Sequence, residues 1–210
     1  MLPPTIPIFP LPNAVLFPNV FLPLHIFESR YRAMVTDAVQ GDRIIGMVLL
    51  RPGYEEDYEG RPAVFPVGCA GVITHTERLA DGRFNIVLRG LEKFRITGED
   101  DARPYRLASI DSLPEEPGAE ERSALRLQRH RLEAVLAAAA ERSGGEPKFP
   151  PAVADEDLVN ALAQYLHLEP IERQALLERP GILSRCQALI ELLEIKVMNP
   201  LGRWDGGATH

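Results

Sequence analysis

Two pairings of histidine with glutamate are the nearest this sequence comes to a reactive site: His25 with Glu28, and His75 with Glu77. An imidazole and a carboxylate within a few residues can pass a proton or share a metal ion, but either task needs a third convergent group. His130, His167 and His210 stand apart, and no two histidines have the four-residue helical spacing around a glutamate that holds a catalytic zinc. Cys69 and Cys186 are distant and in no metal-type spacing, so they read as two buried thiols of a reducing compartment. No Gly-x-x-x-x-Gly-Lys-Ser/Thr segment occurs, and no Gly-x-Gly-x-x-Gly follows a strand, which excludes a phosphate-cradling loop. Chemistry is therefore not expected here, and neither a cofactor nor a metal is implied.

What remains is recognition. Arg51-Pro-Gly-Tyr-Glu-Glu-Asp-Tyr-Glu-Gly-Arg-Pro62 is acidic and turn-rich, so it must be a loop, and it carries Tyr54 and Tyr58. Glu28, Arg30 and Arg32 open the first helical pattern and fall on its polar face. These five residues are the candidate binding set.

The elements that must position them begin with Ile6-Pro-Ile-Phe-Pro-Leu-Pro-Asn13, Val15-Leu-Phe-Pro18 and Leu22-Pro-Leu-His-Ile-Phe-Glu28. Each proline fixes φ and biases the preceding residue to extended conformations, so no continuous helix can form. Proline cannot donate to a ladder, and this stretch is predicted to form short edge strands wrapped over a core. With the helical segment Glu28-Ser-Arg-Tyr-Arg-Ala-Met34, the stretch resembles the N-terminal, substrate-binding domain of the Lon protease family, and in particular small bacterial proteins that carry it without the rest of Lon. Val67-Gly-Cys-Ala-Gly-Val-Ile73, the Asp81-Gly82 turn and Leu88-Arg-Gly-Leu91 with Phe94-Arg-Ile96 extend the resemblance, with Cys69 where threonine is common. It implies a PUA-like β pseudo-barrel and a role in holding polypeptide, and it covers residues 6 to about 114.

Read without the resemblance, the chain gives a compatible picture. Tyr31, Met34, Val35, Ala38 and Val39 recur at helical spacing and Gly41 ends the helix, with Glu28 and Arg32 placed to pair. Ile44 to Leu50 is an apolar run bounded by turns, a buried strand. Four further strand segments follow, 65–76, 83–90, 93–98 and 105–113, the first two joined by an Asp81-Gly82 hairpin turn. Glycines 68, 71 and 90 mark bulges or corners that let a sheet curl.

Leu113-Pro-Glu-Glu-Pro-Gly-Ala-Glu-Glu121 has the composition of a linker, and beyond it the period becomes helical. Helices are predicted over 119–142, from Asp155 to about Leu168, from Pro170 to Pro180, and over 182–198, packed as a bundle. The expected organisation is α+β: a β domain over 1–114, a helical domain over 115–200 and a polar tail over 201–210.

The net charge of −7 and pI near 5.3 weigh against a nucleic-acid surface, and the proline-broken N-terminus against a signal peptide or membrane span. A soluble cytoplasmic protein is expected. A serine–lysine protease pair of the Lon kind is not expected either, since Lys93, Lys148 and Lys196 fall in a strand, a proline-rich linker and the last helix. Three readings follow. The first is a non-catalytic module that binds unfolded or partly folded polypeptide or a partner protein, with a separate ATP-dependent protease as a possible collaborator and self-association open. The second is a small-molecule site or cryptic enzyme in the barrel mouth using His25, His75 and Glu77. The third is RNA binding, which a PUA-like fold suggests only by analogy.

Overall fold

Pro7 and Pro10 lie inside the first strand, and the pairing around them shows how a sheet tolerates two residues without an N–H. The computed structural model describes residues 1–57, 60–142 and 153–198. In it, β1 (Thr5–Leu11) pairs antiparallel with a later strand, Arg106–Leu113, through Thr5 to Ile8, and parallel with Ile44–Leu49 through Ile8 to Leu11. Each half of β1 has a partner on one side only, leaving the other side for a proline's missing donor. Thus β1 is an interior strand where an edge strand was expected.

The remaining strands are β2 (Phe21–Ile26), β3 (Ile44–Leu49), β4 (Val67–Arg78), β5 (Phe84–Asp100) and β6 (Arg106–Leu113). Their order is β2-β5-β4-β3-β1-β6, and β6 pairs with β5 as well as β1, so pairing runs round a ring with β2 attached outside. Ile6, Ile8, Val48, Ala70, Phe94, Ala108 and Ile110 form one buried cluster of this unit. Along β5, Phe84, Ile86 and Leu88 are buried in alternation, the period that the sequence shows. The segments expected at 83–90 and 93–98 are a single strand. Ala70 stands opposite Glu92 and Gly71 opposite Gly90, so Leu91 is the extra residue of a bulge that bends β5 without ending it. Gly90 itself is required by close approach, because a Cβ there would collide with the Phe17 carbonyl.

The hairpin turn forms as expected. Leu79 N–H bonds to the Arg83 carbonyl at 2.9 Å, and Gly82 takes a φ of +83° that favours glycine. Backbone and side-chain donors of Arg83 hold the Asp81 carboxyl below its ordinary range. Helix α1 (Ser29–Gln40) buries Tyr31, Met34, Val35 and Ala38 and ends at Gly41, whose N–H reaches the Asp37 and Ala38 carbonyls.

The four later helices are present: α2 (Ala119–Arg142), α3 (Asp155–Tyr165), α4 (Pro170–Leu177) and α5 (Ile182–Met198). They are divided between two compact units, where the sequence suggested one bundle. One unit is Met1–Glu116 with Glu156–Arg179, and the other is Pro117–Asp155 with Pro180–His210. In the first, polar side chains tie α3 and α4 to the β strands. Gln164 accepts from Phe17 N at 3.0 Å and donates to Phe21 O at 3.2 Å, Gln174 donates to Val67 O at 2.9 Å, and Lys93 donates to Arg179 O at 2.6 Å. Lys93 is also ion-paired with Glu115 at 2.7 Å, with both side chains nearly out of solvent.

In the second unit α2 packs on α5. Leu125 and Leu132 of α2 and Cys186, Leu189, Ile190 and Leu193 of α5 are buried. Arg131 pairs with Glu194 at 2.7 Å, and Arg129 with Glu133 and Asp155 at 2.8 and 2.7 Å. Those two carboxylates raise the Arg129 pKa further. Burial, and next the charge of Asp155, pushes the Cys186 thiol up to about 11. The described residues are α+β, a mixed sheet of six strands with five α-helices. The proline-rich linker up to residue 152 and the expected tail lie outside the described residues.

Candidate functional site

Side chains alternate across a strand, so an edge strand with one buried face must show the other to solvent. On β2 the outward series is Phe21, Pro23 and His25, and Phe27 follows it; all four are exposed, with Phe21 at 50% and Phe27 at 62%. Tyr165 at the end of α3 is 61% exposed and donates its hydroxyl to Phe21 O at 2.7 Å, which places a third ring beside this row. The same contact interrupts the backbone edge of β2. Phe21 O receives both Tyr165 and Gln164, and Pro23, two residues on along the same edge, has no N–H.

His25 belongs to this face. Its Nδ1 lies 2.8 Å from Asn85 Oδ1, the Asn85 amide donates to Glu77 at 2.8 Å, and Arg83 donates to His25 Nε2 at 3.2 Å. With the amide so assigned, the imidazole carries its proton on Nδ1 and accepts on Nε2. His25 and Glu77, proposed with His75 for a cryptic enzyme, are therefore joined through an asparagine on exposed surface, away from the cleft beside α1. His75 is exposed on β4 opposite Val87. Among the described residues no group of three or more His, Cys, Asp or Glu could hold a metal ion, and no helix is long and apolar enough to cross a membrane.

A cleft of about 310 Å³ lies elsewhere in the same unit, lined by Pro10, Arg30, Tyr31 and Leu50, by Gly60 to Pro62 and by Pro104 to Arg106. Tyr31 packs on Phe9 with ring centroids 4.4 Å apart, and the Arg30 guanidinium lies 4.7 Å over the Tyr31 ring. Arg106 is gripped by Glu99 through two bonds of 2.7 and 2.6 Å and donates to Pro62 O at 2.8 Å. Tyr105 donates to Asp37 at 2.7 Å; burial, and then this carboxylate, pushes its phenol up to about 12.

Of the five candidate residues, Arg30 lines the cleft. Glu28 precedes α1 and pairs with Arg30 Nε at 3.0 Å. Arg32 does not pair with Glu28 as expected. Its side chain reaches the Asp81 carbonyl at 3.4 Å, because it projects towards the hairpin turn and away from Arg30. Tyr54 is half-buried in a single 3-10 turn, Tyr54–Asp57, and Tyr58 lies outside the described residues. The sequence reading missed Arg61, Tyr105 and Arg106, which meet Arg30 only through the pairing of β1 with β3 and β6. It also passed over the outward row of β2, although the alternation of Phe21, Pro23 and His25 was visible.

The first unit is thus a mixed sheet whose pairing runs round a ring, with an exposed aromatic row on β2 and a cleft beside α1. The model of the ATP-dependent protease La (LON) substrate-binding domain matches residues 5–194, and the chain belongs to that family. It is 29% identical over 207 residues to Lon protease 2 of Myxococcus xanthus, covering 93% of this chain and 24% of that one. Lon protease 2 of Syntrophobacter fumaroxidans is 31% identical over 183 residues, covering 85% and 23%. The chain thus spans about a quarter of the length of the curated relatives it matches. The fold is also that of the N-terminal domain of a Mycobacterium avium complex Lon protease, at a TM-score of 0.68 with 16% identity, covering 90% of this chain and 98% of that one. A Lon N-terminal domain protein from Xanthomonas campestris gives a TM-score of 0.60 with 22% identity, covering 89% and 97%.

Proposed function

We propose that this chain is a non-catalytic, cytoplasmic capture module that holds unfolded or partly folded polypeptide by side-chain contact. The observation that carries the reading is the outward row of β2, Phe21, Pro23, His25 and Phe27, with Tyr165 beside it. Exposed aromatic rings in a line, rimmed by charge, suit extended apolar sequence of many kinds and give weak, promiscuous binding. Membership in a substrate-binding family supports it, and so does the absence from the sequence of a phosphate-cradling loop. Delivery to a separate ATP-dependent protease is the collaboration it suggests.

The test is a fluorescence anisotropy titration of labelled unfolded polypeptides, a folded control and a short RNA into the wild type and a Phe21→Ala/Phe27→Ala double variant. Selective binding of the unfolded set is expected, with about tenfold weaker affinity in the variant, the order expected for loss of two aromatic contacts. Equal binding of the folded control, or unchanged affinity in the variant, would overturn the reading.

A further inference from the structure

We propose that the cleft between the first turn of α1 and residues 60–62 and 104–106 receives the carboxylates of a bound polypeptide, with Arg61 and Arg30 as the receiving groups. This rests on the capture reading and names a class of sequence that would be preferred: extended segments bearing acidic groups. In a chain of net charge −7, the described residues lining the cleft include three arginines and no carboxylate. Glu28, which caps α1, offsets the positive end of the helix dipole and engages Arg30 at Nε, so the positive sign of the cleft comes from its guanidinium groups.

The three guanidinium groups have different tasks. Arg106 is a positioning residue, since Glu99 and the Pro62 carbonyl occupy it and fix the segment that follows Arg61. Arg30 is held in place from one side by Glu28 at its Nε and by the Tyr31 ring beneath it. Arg61 is exposed, makes no ion pair among the described residues, and has a single bond of 3.3 Å to the Asp100 carbonyl. It can therefore turn to a ligand at little cost, and a guanidinium fork matches a carboxylate in two-point contact.

The walls favour a peptide over a free ion. Pro10, Pro62, Pro104 and Leu50 give rigid apolar surface, and Tyr31 adds a ring face. Tyr105, a neutral phenol at physiological pH as any tyrosine is, adds ring surface without negative charge. A volume of about 310 Å³ fits one acidic side chain with its neighbouring backbone, near the small end of ligand pockets at ~300 Å³. Such walls order no flexible side chains on binding, which limits the entropy cost.

The experiment titrates three labelled peptides of equal length and apolar content: one with internal glutamates and an amidated C-terminus, its glutamine counterpart, and the glutamine peptide with a free C-terminal carboxylate. The expected result is that a carboxylate peptide binds about fivefold tighter than the amidated glutamine one, the order of a partly exposed ion pair. Which of the two does so assigns the source of the group. The preference should vanish in Arg61→Gln, persist in Arg61→Lys, and survive as a ratio in Phe21→Ala/Phe27→Ala. Amide chemical shifts during titration with N-acetylglutamate should move at residues 30, 31, 60, 61 and 105. Binding of all three peptides with no carboxylate preference, or a preference retained in Arg61→Gln, would overturn this proposal and leave the capture reading intact. Cleft shifts with N-acetylglutamate but no binding of any peptide would overturn the capture reading and leave a carboxylate site that serves some other ligand.

Discussion

The two units of the molecule hold their helices by different means. In the first, α3 and α4 are tied to strands by neutral amides and one buried amine that reach backbone groups: Gln164 to Phe17 and Phe21, Gln174 to Val67, Lys93 to Arg179. In the second, α2 and α5 share an apolar seam, and ion pairs among the described residues join arginine with carboxylate, partly open to water. Backbone acceptors cannot be titrated or screened away, whereas surface ion pairs weaken with salt. The first unit should therefore keep its helices under conditions that loosen the second.

The strongest challenge to this contrast is Lys93→Ala. It leaves Glu115 buried without its amine, and segment-resolved hydrogen exchange should show the first unit destabilised by about 3–5 kcal/mol. A loss near zero would mean that the pair is dispensable. Next comes Gln164→Ala, which strips a partner from the buried Phe17 N–H and should cost about 1–3 kcal/mol by denaturant unfolding. In the second unit Arg129→Ala removes the bonds to Glu133, Asp155 and the Val153 carbonyl, for about 1–2 kcal/mol. Arg131→Gln should cost only ~0.2–1 kcal/mol, and less in high salt.

Alkali sharpens the comparison without mutation. Both acids below have folded pKa values above their ordinary ones, so the folded state holds the proton more tightly and stability falls as pH rises between the two values. For Cys186 the window runs from 9 to about 11, and for Tyr105 from 10 to about 12. Protection of α5 should therefore fall at lower pH than that of β6, and Cys186→Ala should remove the earlier loss. Absorbance titration should find one of the five tyrosines ionising near pH 12.

How much of this could be read from residues depends on range. The α1 pattern, the Asp81-Gly82 turn and the boundaries of α2 and α5 rest on local periodicity and turn chemistry, and they stand where the sequence places them. The errors are all of partnership. Pro7 and Pro10 suggested an edge strand because nothing local reveals that β1 changes neighbour at Ile8. Gly71 and Gly90 do mark a bulge as expected, but β5 runs on past it, and nothing local reveals that the Phe17 carbonyl approaches at Gly90. The helical period after residue 155 could not say that Gln164 and Gln174 would turn to backbone of the β unit. Arg30 was legible as an exposed charge, but Arg61 and Arg106 join it only after the sheet has formed.

The interrupted edge of β2 has a kinetic meaning for the proposed role. A chain that lies along Phe21 to Phe27 meets rings and a proline, and it finds Phe21 O already taken and no donor at Pro23. The interrupted edge works against its joining the sheet as one more strand, so side-chain contacts would set most of its dwell time. In the proposed capture role, such a surface would take hold of aggregation-prone sequence and let it go again without becoming a template for its growth.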